Sequence, residues 1–336
     1  MGSLNIFSDK KVVNTYFDLF FIKFPIWVPL IFLLLVEQFD EHYYYIIIAF
    51  LVLGEIHFGI TYFFFTEKKY YSLFVKNSFV YLLLPIFLII SLIIFSITFS
   101  LSLILFLILL FNFFHVNRQS IGVLKLYSKN SISFILAKFF LYFLSFSLCF
   151  VAVLKFILKK NIYFNYEIYI QNFFISAFGF SILVIIFFMI YEKKINLSLL
   201  LSFVTGVLIF SPVIFFSKLI DVFAAGVGMH FVQYIAITSV IFNRKRIQSN
   251  KNFSVQTDNN YYFYKIYYLI GYLFLYASLM IYFSESEFSY KGEKFGIYLI
   301  PVVFQFLHFY FDMFLWRFSS PHVRENLLPF LFKKEA

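Results

Sequence analysis

Apolar runs of roughly 20 residues recur along the whole chain, and they limit what it can fold into more than any other feature. Residues 172–191 are one example. A helix needs about 20 apolar residues to cross the hydrocarbon core of a bilayer. Repeated runs of this length are the mark of membrane-spanning helices. The sequence therefore predicts an all-α, polytopic membrane protein.

The composition supports this interpretation and excludes several other classes. The chain is 62% hydrophobic and only 13% charged, whereas a soluble domain carries about 25% charged residues. Its single cysteine, Cys149, lies inside an apolar run and excludes an intramolecular disulfide or a cysteine-based metal cluster. The net charge of +10 does not indicate nucleic acid, because the basic residues lie in short loops where they orient the helices.

The apolar runs predict about ten spans within one transmembrane domain, residues 1–336, and the charge distribution predicts that both termini lie in the cytoplasm. On one set of alternate loops we count 18 of the 27 basic residues, and basic residues mark the cytoplasmic side. Trp316 and Arg317 are expected to anchor the last span at the membrane surface. The membrane is expected to be a bacterial inner membrane, and the sequence does not indicate an oligomeric state. The predicted spans are roughly residues 16–37, 44–65, 78–97, 99–116, 133–157, 172–191, 197–217, 220–242, 262–283 and 295–316.

Four of the six histidines lie inside or at the edge of even-numbered spans, which all cross the membrane in the same direction. At a rise of about 1.5 Å per residue they fall in the middle-to-cytoplasmic part of the bilayer. These four are His57, His115, His230 and His308. The other two, His42 in an external loop and His322 in the C-terminal tail, are expected to be solvated. The shared depth of four histidines is the main functional signal of the sequence.

Each of these four histidines has polar side chains about one helical turn further along, where they share a helix face with it. The neighbours are Thr61, Gln119, Gln233 with Tyr234, and Asp312. Glu55 lies on a different face of the second span. Ionisable residues inside a membrane usually face the bundle interior and mark functional sites. Asp312, one turn from His308, has the position from which a carboxylate orients a metal-bound imidazole, or it is itself a ligand.

A single intramembrane histidine is more often a helix–helix hydrogen-bond partner than a ligand, but four at one depth favour a metal site. Imidazoles suit iron, zinc, copper or nickel, and histidine with carboxylate is the pattern of non-haem iron oxygen chemistry. We predict that His57, His115, His230 and His308 bind a metal, iron or another transition metal. Asp312, Glu55 and Tyr234 are the predicted catalytic residues, and Gln119, Gln233 and Thr61 are predicted to hydrogen-bond around the ligands. The sequence contains no HExxH and no GxSxG motif.

The tripeptide HFG in GEIHFG, together with histidines spread over several apolar spans, resembles the Brp/Blh family of membrane carotene dioxygenases. Members of that family cleave β-carotene to retinal and are thought to hold iron through histidines in the membrane. The resemblance implies that His57 is a ligand and that the substrate is a carotenoid. The motifs HVNRQSIG, HFVQYIA and HFYFDMFLWR are not ones associated with that family. They look more like signatures of uncharacterised bacterial polytopic membrane proteins.

The function most consistent with these features is oxidation or oxidative cleavage of a lipophilic substrate that enters from the lipid. Two alternatives remain open. The intramembrane histidine, aspartate and glutamate could form the ion or proton relay of a transporter or channel, with FSPV (residues 210–213) and GVGMH (residues 226–230) as helix interruptions. Alternatively, His308 and Asp312 could be the acid/base pair of a metal-free transferase that modifies lipids.

Overall fold

The computed structural model describes residues 11–66, 70, 74–98, 101–128, 131–158, 161–252, 259–289, 299–317 and 320–332. These residues are helical with short connections and contain no β-strand. The prediction of an all-α fold is therefore confirmed for the part of the chain that is described. Helices suit apolar segments because each one satisfies its backbone hydrogen bonds within itself.

Fourteen α-helices carry the labels used below. They are α1 Thr15–Phe17, α2 Trp27–Gln38, α3 Tyr43–Phe65, α4 Leu84–Thr98, α5 Leu101–Tyr127, α6 Ile132–Ala152, α7 Asn161–Tyr191, α8 Leu197–Leu208, α9 Pro212–Phe215, α10 Leu219–Val222, α11 Gly228–Asn252, α12 Asn259–Ser289, α13 Leu299–Leu315 and α14 Pro321–Asn326. Four π-helical segments continue or precede them, Asp18–Lys23, Phe79–Leu83, Val153–Ile157 and Phe223–Val227. Two short 3₁₀ segments are Asp40–His42 and Leu328–Phe330.

Six segments in the described residues are long and apolar enough to cross a membrane, which supports a membrane protein. The bent pair Thr15–Lys23 and Trp27–Gln38 raises the number to seven if it forms one span. Three shorter apolar helices, Phe79–Phe95, Tyr267–Phe283 and Ile300–Leu315, lie where the remaining three spans are predicted. The total of ten and the cytoplasmic termini stay predictions. Many of the loop lysines on which the orientation depends lie outside the described residues, namely Lys10, Lys68, Lys69, Lys129, Lys159, Lys160, Lys291, Lys294, Lys333 and Lys334.

The chain divides into two compact units by its internal contacts. The first unit comprises Met1–Ile47, Asn112–Ile237 and Phe332–Ala336, and the second comprises Ile48–Phe111 and Thr238–Leu331. Helices α3, α5 and α11 have residues in both units. That the whole chain is one transmembrane domain stays a prediction.

The first unit contains a bend of 61° between Lys23 and Trp27 in the first predicted span. Pro25 lies at this bend and lacks a backbone N–H, so the helix cannot continue through it with regular hydrogen bonds. The carbonyl of Ile22 accepts from Gln233 Nε2 at 2.5 Å, and that of Lys23 accepts from Thr205 Oγ1 at 2.7 Å. Side chains of α8 and α11 thus satisfy the carbonyl groups that the bend exposes, as irregular backbone at membrane depth requires.

A second interruption in the first unit lies after α8, where the regular helix ends at Leu208 and resumes at Pro212. The carbonyl of Val213 accepts from Lys155 Nζ at 3.2 Å, and the carbonyl of Ile214 accepts from Gln171 Nε2 at 3.0 Å. The expected irregularity at FSPV is confirmed, and the π-helix Phe223–Val227 overlaps the start of GVGMH. Polar side chains from α7 and from the end of the fifth predicted span therefore bind this second break.

The second unit packs aromatic side chains of α3, α12 and α13 against one another. Its C-terminal segment is held by Arg244, whose Nη1 donates to the carbonyls of Phe330 and Leu331 at 3.2 and 2.8 Å. His322 was expected to be solvated, but it is half-buried, with its ring 4.6 Å from the ring of Tyr70. It is therefore only partly solvated, because the Tyr70 ring packs against it. His42 is exposed, as expected.

Candidate metal centre

His57 and His308 meet in the interior of the second unit. His57 lies on α3 and His308 on α13, and both side chains are 0% exposed. Their ring centroids are 4.5 Å apart with an interplanar angle of 68°, and a ring nitrogen of one lies within 4.8 Å of a ring nitrogen of the other. Two histidine nitrogens on one ion are at most about 4.2 Å apart, since each bond is near 2.0–2.1 Å. The separation of the two rings is therefore close to the one that a shared ion requires.

A second contact joins the same two helices one turn further along. Thr61 Oγ1 donates to Asp312 Oδ1 at 3.1 Å. His57 and Thr61 are four residues apart on α3, and His308 and Asp312 are four apart on α13. Because the two contacts occur in the same order along both helices, α3 and α13 run in the same direction here. This agrees with the predicted topology, in which α3 and α13 are the second and tenth spans and cross the membrane in the same direction.

The carboxylate of Asp312 has a second described donor. Trp316 Nε1 donates to the same oxygen, Oδ1, at 3.1 Å, and Asp312 is only 3% exposed. An ionisable side chain buried in a membrane helix is costly, and the hydrogen bonds from Thr61 and Trp316 offset part of that cost. Trp316, expected only to anchor the helix at the surface, is half-buried and also binds this carboxylate.

Apolar and aromatic side chains surround the histidine pair. The ring of Phe58 lies 4.7 Å from the ring of His308, and Phe306 and Phe309 are buried on either side along α13. A hydrophobic shell of this kind limits water access and lowers the local dielectric around a bound ion. The surroundings of the histidine pair are therefore apolar and closed to water.

The other two histidines meet in the first unit. His115 on α5 and His230 on α11 have ring centroids 5.6 Å apart at 88°. His230 is 2% exposed and His115 is half-buried. Tyr234, one turn beyond His230, is 3% exposed. Gln233, predicted to support the ligands, donates its amide hydrogen to the carbonyl of Ile22, so this amide also holds the bend of the first span.

Of the predicted ligands, His57 and His308 have ring nitrogens within 4.8 Å of each other in the second unit and could hold a metal ion. His115, in the first unit, is a third histidine that could serve as a ligand. His230 is paired with His115, and the convergence of all four on one ion stays a prediction. Among the predicted catalytic and supporting residues, Thr61 and Asp312 bind each other beside the histidine pair. Glu55 is half-buried on α3. Gln119 is half-buried on α5, one turn beyond His115.

The sequence interpretation missed two buried charges in the first span. Asp18 is 0% exposed and accepts from the backbone N–H groups of Val12 and Val13 at 2.8 and 2.9 Å. Lys23 is 2% exposed, with its ammonium 4.3 Å from the ring centre of Tyr127. Two charges inside one apolar run, followed by a proline, were visible in the sequence and could have indicated an interior-facing broken helix.

Comparison with known proteins adds no family to these observations. No protein-family model matches the chain, and neither the curated proteins nor the solved structures contain a match to it.

Proposed function

We propose that this protein is a membrane metalloenzyme in which His57 and His308 bind a transition-metal ion, and we favour iron as the metal. The observation that carries the proposal is the contact between two completely buried imidazoles from helices far apart in sequence, with a buried carboxylate one turn away. Further ligands are proposed from His115 and His230, on the strength of their predicted depth and of the contact between their rings.

The chemistry follows from the donor set. Two or three neutral imidazoles near a carboxylate, with coordination positions left open, are typical of non-haem iron proteins that use dioxygen. In the proposed reaction dioxygen is the oxidant and a lipophilic molecule from the bilayer is oxidised or cleaved; the resemblance of GEIHFG to carotene dioxygenases suggests a carotenoid. Asp312 orients its neighbours through Thr61 and Trp316, and Glu55 and Tyr234 are the proposed groups for proton transfer.

Elemental analysis of the detergent-purified full chain tests the metal. We expect about one equivalent of iron or another transition metal in the wild type and its loss in His57→Ala and His308→Ala. His42→Ala, which removes an exposed histidine, is the matched control and should keep the metal. Protein expressed with ample iron and zinc that contains no metal contradicts the proposal. Oxygen consumption with carotenoids and other lipids then tests the reaction.

A proton-coupled transporter is the second candidate, and the bent first span is the observation that favours it. A broken helix with side-chain-bound carbonyls and the buried charges Asp18 and Lys23 resembles the discontinuous helices of ion-coupled transporters. In proteoliposomes, an imposed pH gradient should then drive proton flux that Lys23→Met abolishes. Proton flux without bound metal favours this candidate, whereas bound metal without proton flux favours the enzyme.

A further inference from the structure

The hydroxyl of Tyr62 binds the backbone of the helical turn that precedes His308. Tyr62 Oη donates to the carbonyl of Phe304, one helical turn before His308. In a regular α-helix the carbonyl of residue 304 accepts from the N–H of residue 308. The phenol of Tyr62 therefore binds the carbonyl at one end of the hydrogen bond that holds His308 in α13.

The position of the Tyr62 ring is fixed by neighbours on α12 and α13. Its centroid is 5.9 Å from that of Tyr276 and 5.7 Å from that of Phe304, the latter nearly perpendicular at 89°. Gly59, almost one turn before Tyr62, allows this packing. A Cβ at Gly59 would lie 3.0 Å from Leu273 Cδ2 and 3.1 Å from Tyr276 Cδ1. The missing side chain lets α12 approach α3 closely enough to brace the phenol.

Helix α3 thus contacts α13 on both sides of the His308 turn. Its His57 ring touches the His308 ring, and its Tyr62 hydroxyl binds the backbone from which that ring projects. The two contacts fix the height and rotation of His308 relative to His57. A metal ligand that is free to rotate or shift binds its ion less well, and partners that orient ligands typically contribute about 10–100-fold in metal affinity.

We propose that Tyr62 is a positioning residue that sets the direction of the His308 imidazole towards a metal ion held with His57. This inference rests on the proposed function. Tyr62 does not touch the ion; it acts through the backbone of residues 304–308. Its removal should therefore change the geometry and affinity of the metal site while leaving both histidines in place.

Cobalt(II) binding by the detergent-purified full chain tests this role, because the visible d–d bands of Co(II) report its coordination geometry. We expect Tyr62→Phe to lower Co(II) affinity about 10-fold and to shift the d–d bands relative to the wild type. Tyr310→Phe is the matched control. Tyr310 is also on α13, and its hydroxyl donates to a backbone carbonyl, that of Val80, at 2.6 Å. This control should leave both the bands and the affinity unchanged.

The outcomes separate the two proposals. A wild-type chain that binds Co(II), with unchanged bands and affinity in Tyr62→Phe, overturns the positioning role and leaves the metal site standing. A wild-type chain that binds no Co(II) overturns both. If Tyr62→Phe does not fold, Gly59→Ala replaces it, since the added methyl group displaces the Tyr276 ring that braces Tyr62. Shifted bands in Gly59→Ala support the role, and unchanged bands overturn it.

Discussion

At the scale of single residues, several ionisable side chains are buried inside apolar helices, where their free-energy cost is high, and each has an identified hydrogen-bond or cation–π partner. Asp312 holds two donors on one oxygen, and Lys23 lies over an aromatic ring. Each such group costs free energy in hydrocarbon unless it is bonded or paired. Thr61 and Tyr127 come from distant parts of the chain, so the tertiary fold supplies these two partners.

Asp312→Asn should weaken metal binding while keeping the fold. The amide oxygen can still accept from Thr61 and Trp316, but the negative charge beside the histidine pair is lost. We expect metal affinity to fall about 10–100-fold, as for other residues that orient ligands, measured by competition with a chelator in detergent. Asp40→Asn, which neutralises an exposed carboxylate, should leave the affinity unchanged. Equal affinities for Asp312→Asn and the wild type would show that the carboxylate does not serve the metal.

At the scale of helices, irregular segments are stabilised by close packing and by side-chain hydrogen bonds. The π-helix Phe223–Val227 packs beside the end of α8. An ideal Cβ at Gly226 would lie 2.1 Å from the carbonyl oxygen of Ile209. Backbone atoms cannot move aside as a flexible side chain does, so only glycine fits at this position.

Gly226→Ala should therefore destabilise the first unit. We expect a loss of about 1–3 kcal/mol, the usual range for overpacking, seen as a lower midpoint of thermal unfolding in detergent. Gly179→Ala is the control, since a Cβ there meets nothing within 4 Å. It should be neutral or stabilise by up to about 1 kcal/mol, because glycine disfavours helix interiors. An unfolding midpoint for Gly226→Ala at or above that of the control would contradict the packing described.

A carboxylate joins α6 and α7 at one membrane face. Glu192, just after α7, accepts from the backbone N–H of Ile132 at 2.7 Å and from Ser133 Oγ at 2.7 Å. Partial burial acts to raise the pKa of Glu192, but these hydrogen bonds, with the charge of Lys194, outweigh it. The pKa therefore lies below its ordinary value of 4.5. The carboxylate caps the start of α6, and the hydrogen bonds that it accepts there favour its ionised form.

This lowered pKa predicts a loss of stability in acid. The unfolded chain binds the proton more readily than the folded one, so the stabilisation is complete above pH 4.5 and decreases as the pH falls through the folded pKa. The unfolding midpoint of the wild type should fall more steeply below that pH than that of Glu192→Gln. Glu37→Gln, at an exposed glutamate, should follow the wild type. Parallel curves for the wild type and Glu192→Gln would exclude this contribution.

At the scale of the whole molecule, orientation depends on charges in the loops. The sequence places 18 of 27 basic residues on one set of loops, and basic loops stay in the cytoplasm. Glu41, in the connection before α3, belongs to the opposite set. Lys76, in the connection after α3, belongs to the basic set, and both side chains are exposed.

Cysteine accessibility tests this orientation, because the chain has a single natural cysteine. In a Cys149→Ala background, a membrane-impermeant maleimide should label Glu41→Cys in intact cells. It should label Lys76→Cys only after the cells are opened. The reverse pattern would place the loop before α3 in the cytoplasm and the loop after it outside. Labelling of both in intact cells would show that α3 does not cross the membrane.

The sequence alone determined the class of the protein and the identity of its principal polar residues. Apolar runs of membrane-spanning length specify helices, because no other local structure satisfies the backbone of an apolar segment in lipid. The spacing of His308 and Asp312, and of His57 and Thr61, put each pair on one helix face by helical periodicity. These features are local, so they can be derived from the order of residues.

Only the tertiary structure decided which helix faces meet. It brought His57 against His308 and Thr61 against Asp312, placed the Tyr62 hydroxyl on the backbone of the His308 turn, and gave the bend at Pro25 its partners in Thr205 and Gln233. These contacts join residues up to 251 positions apart. The sequence cannot specify them by pattern, because the helices of a bundle can be arranged in many ways and the pairing depends on how all of them pack together.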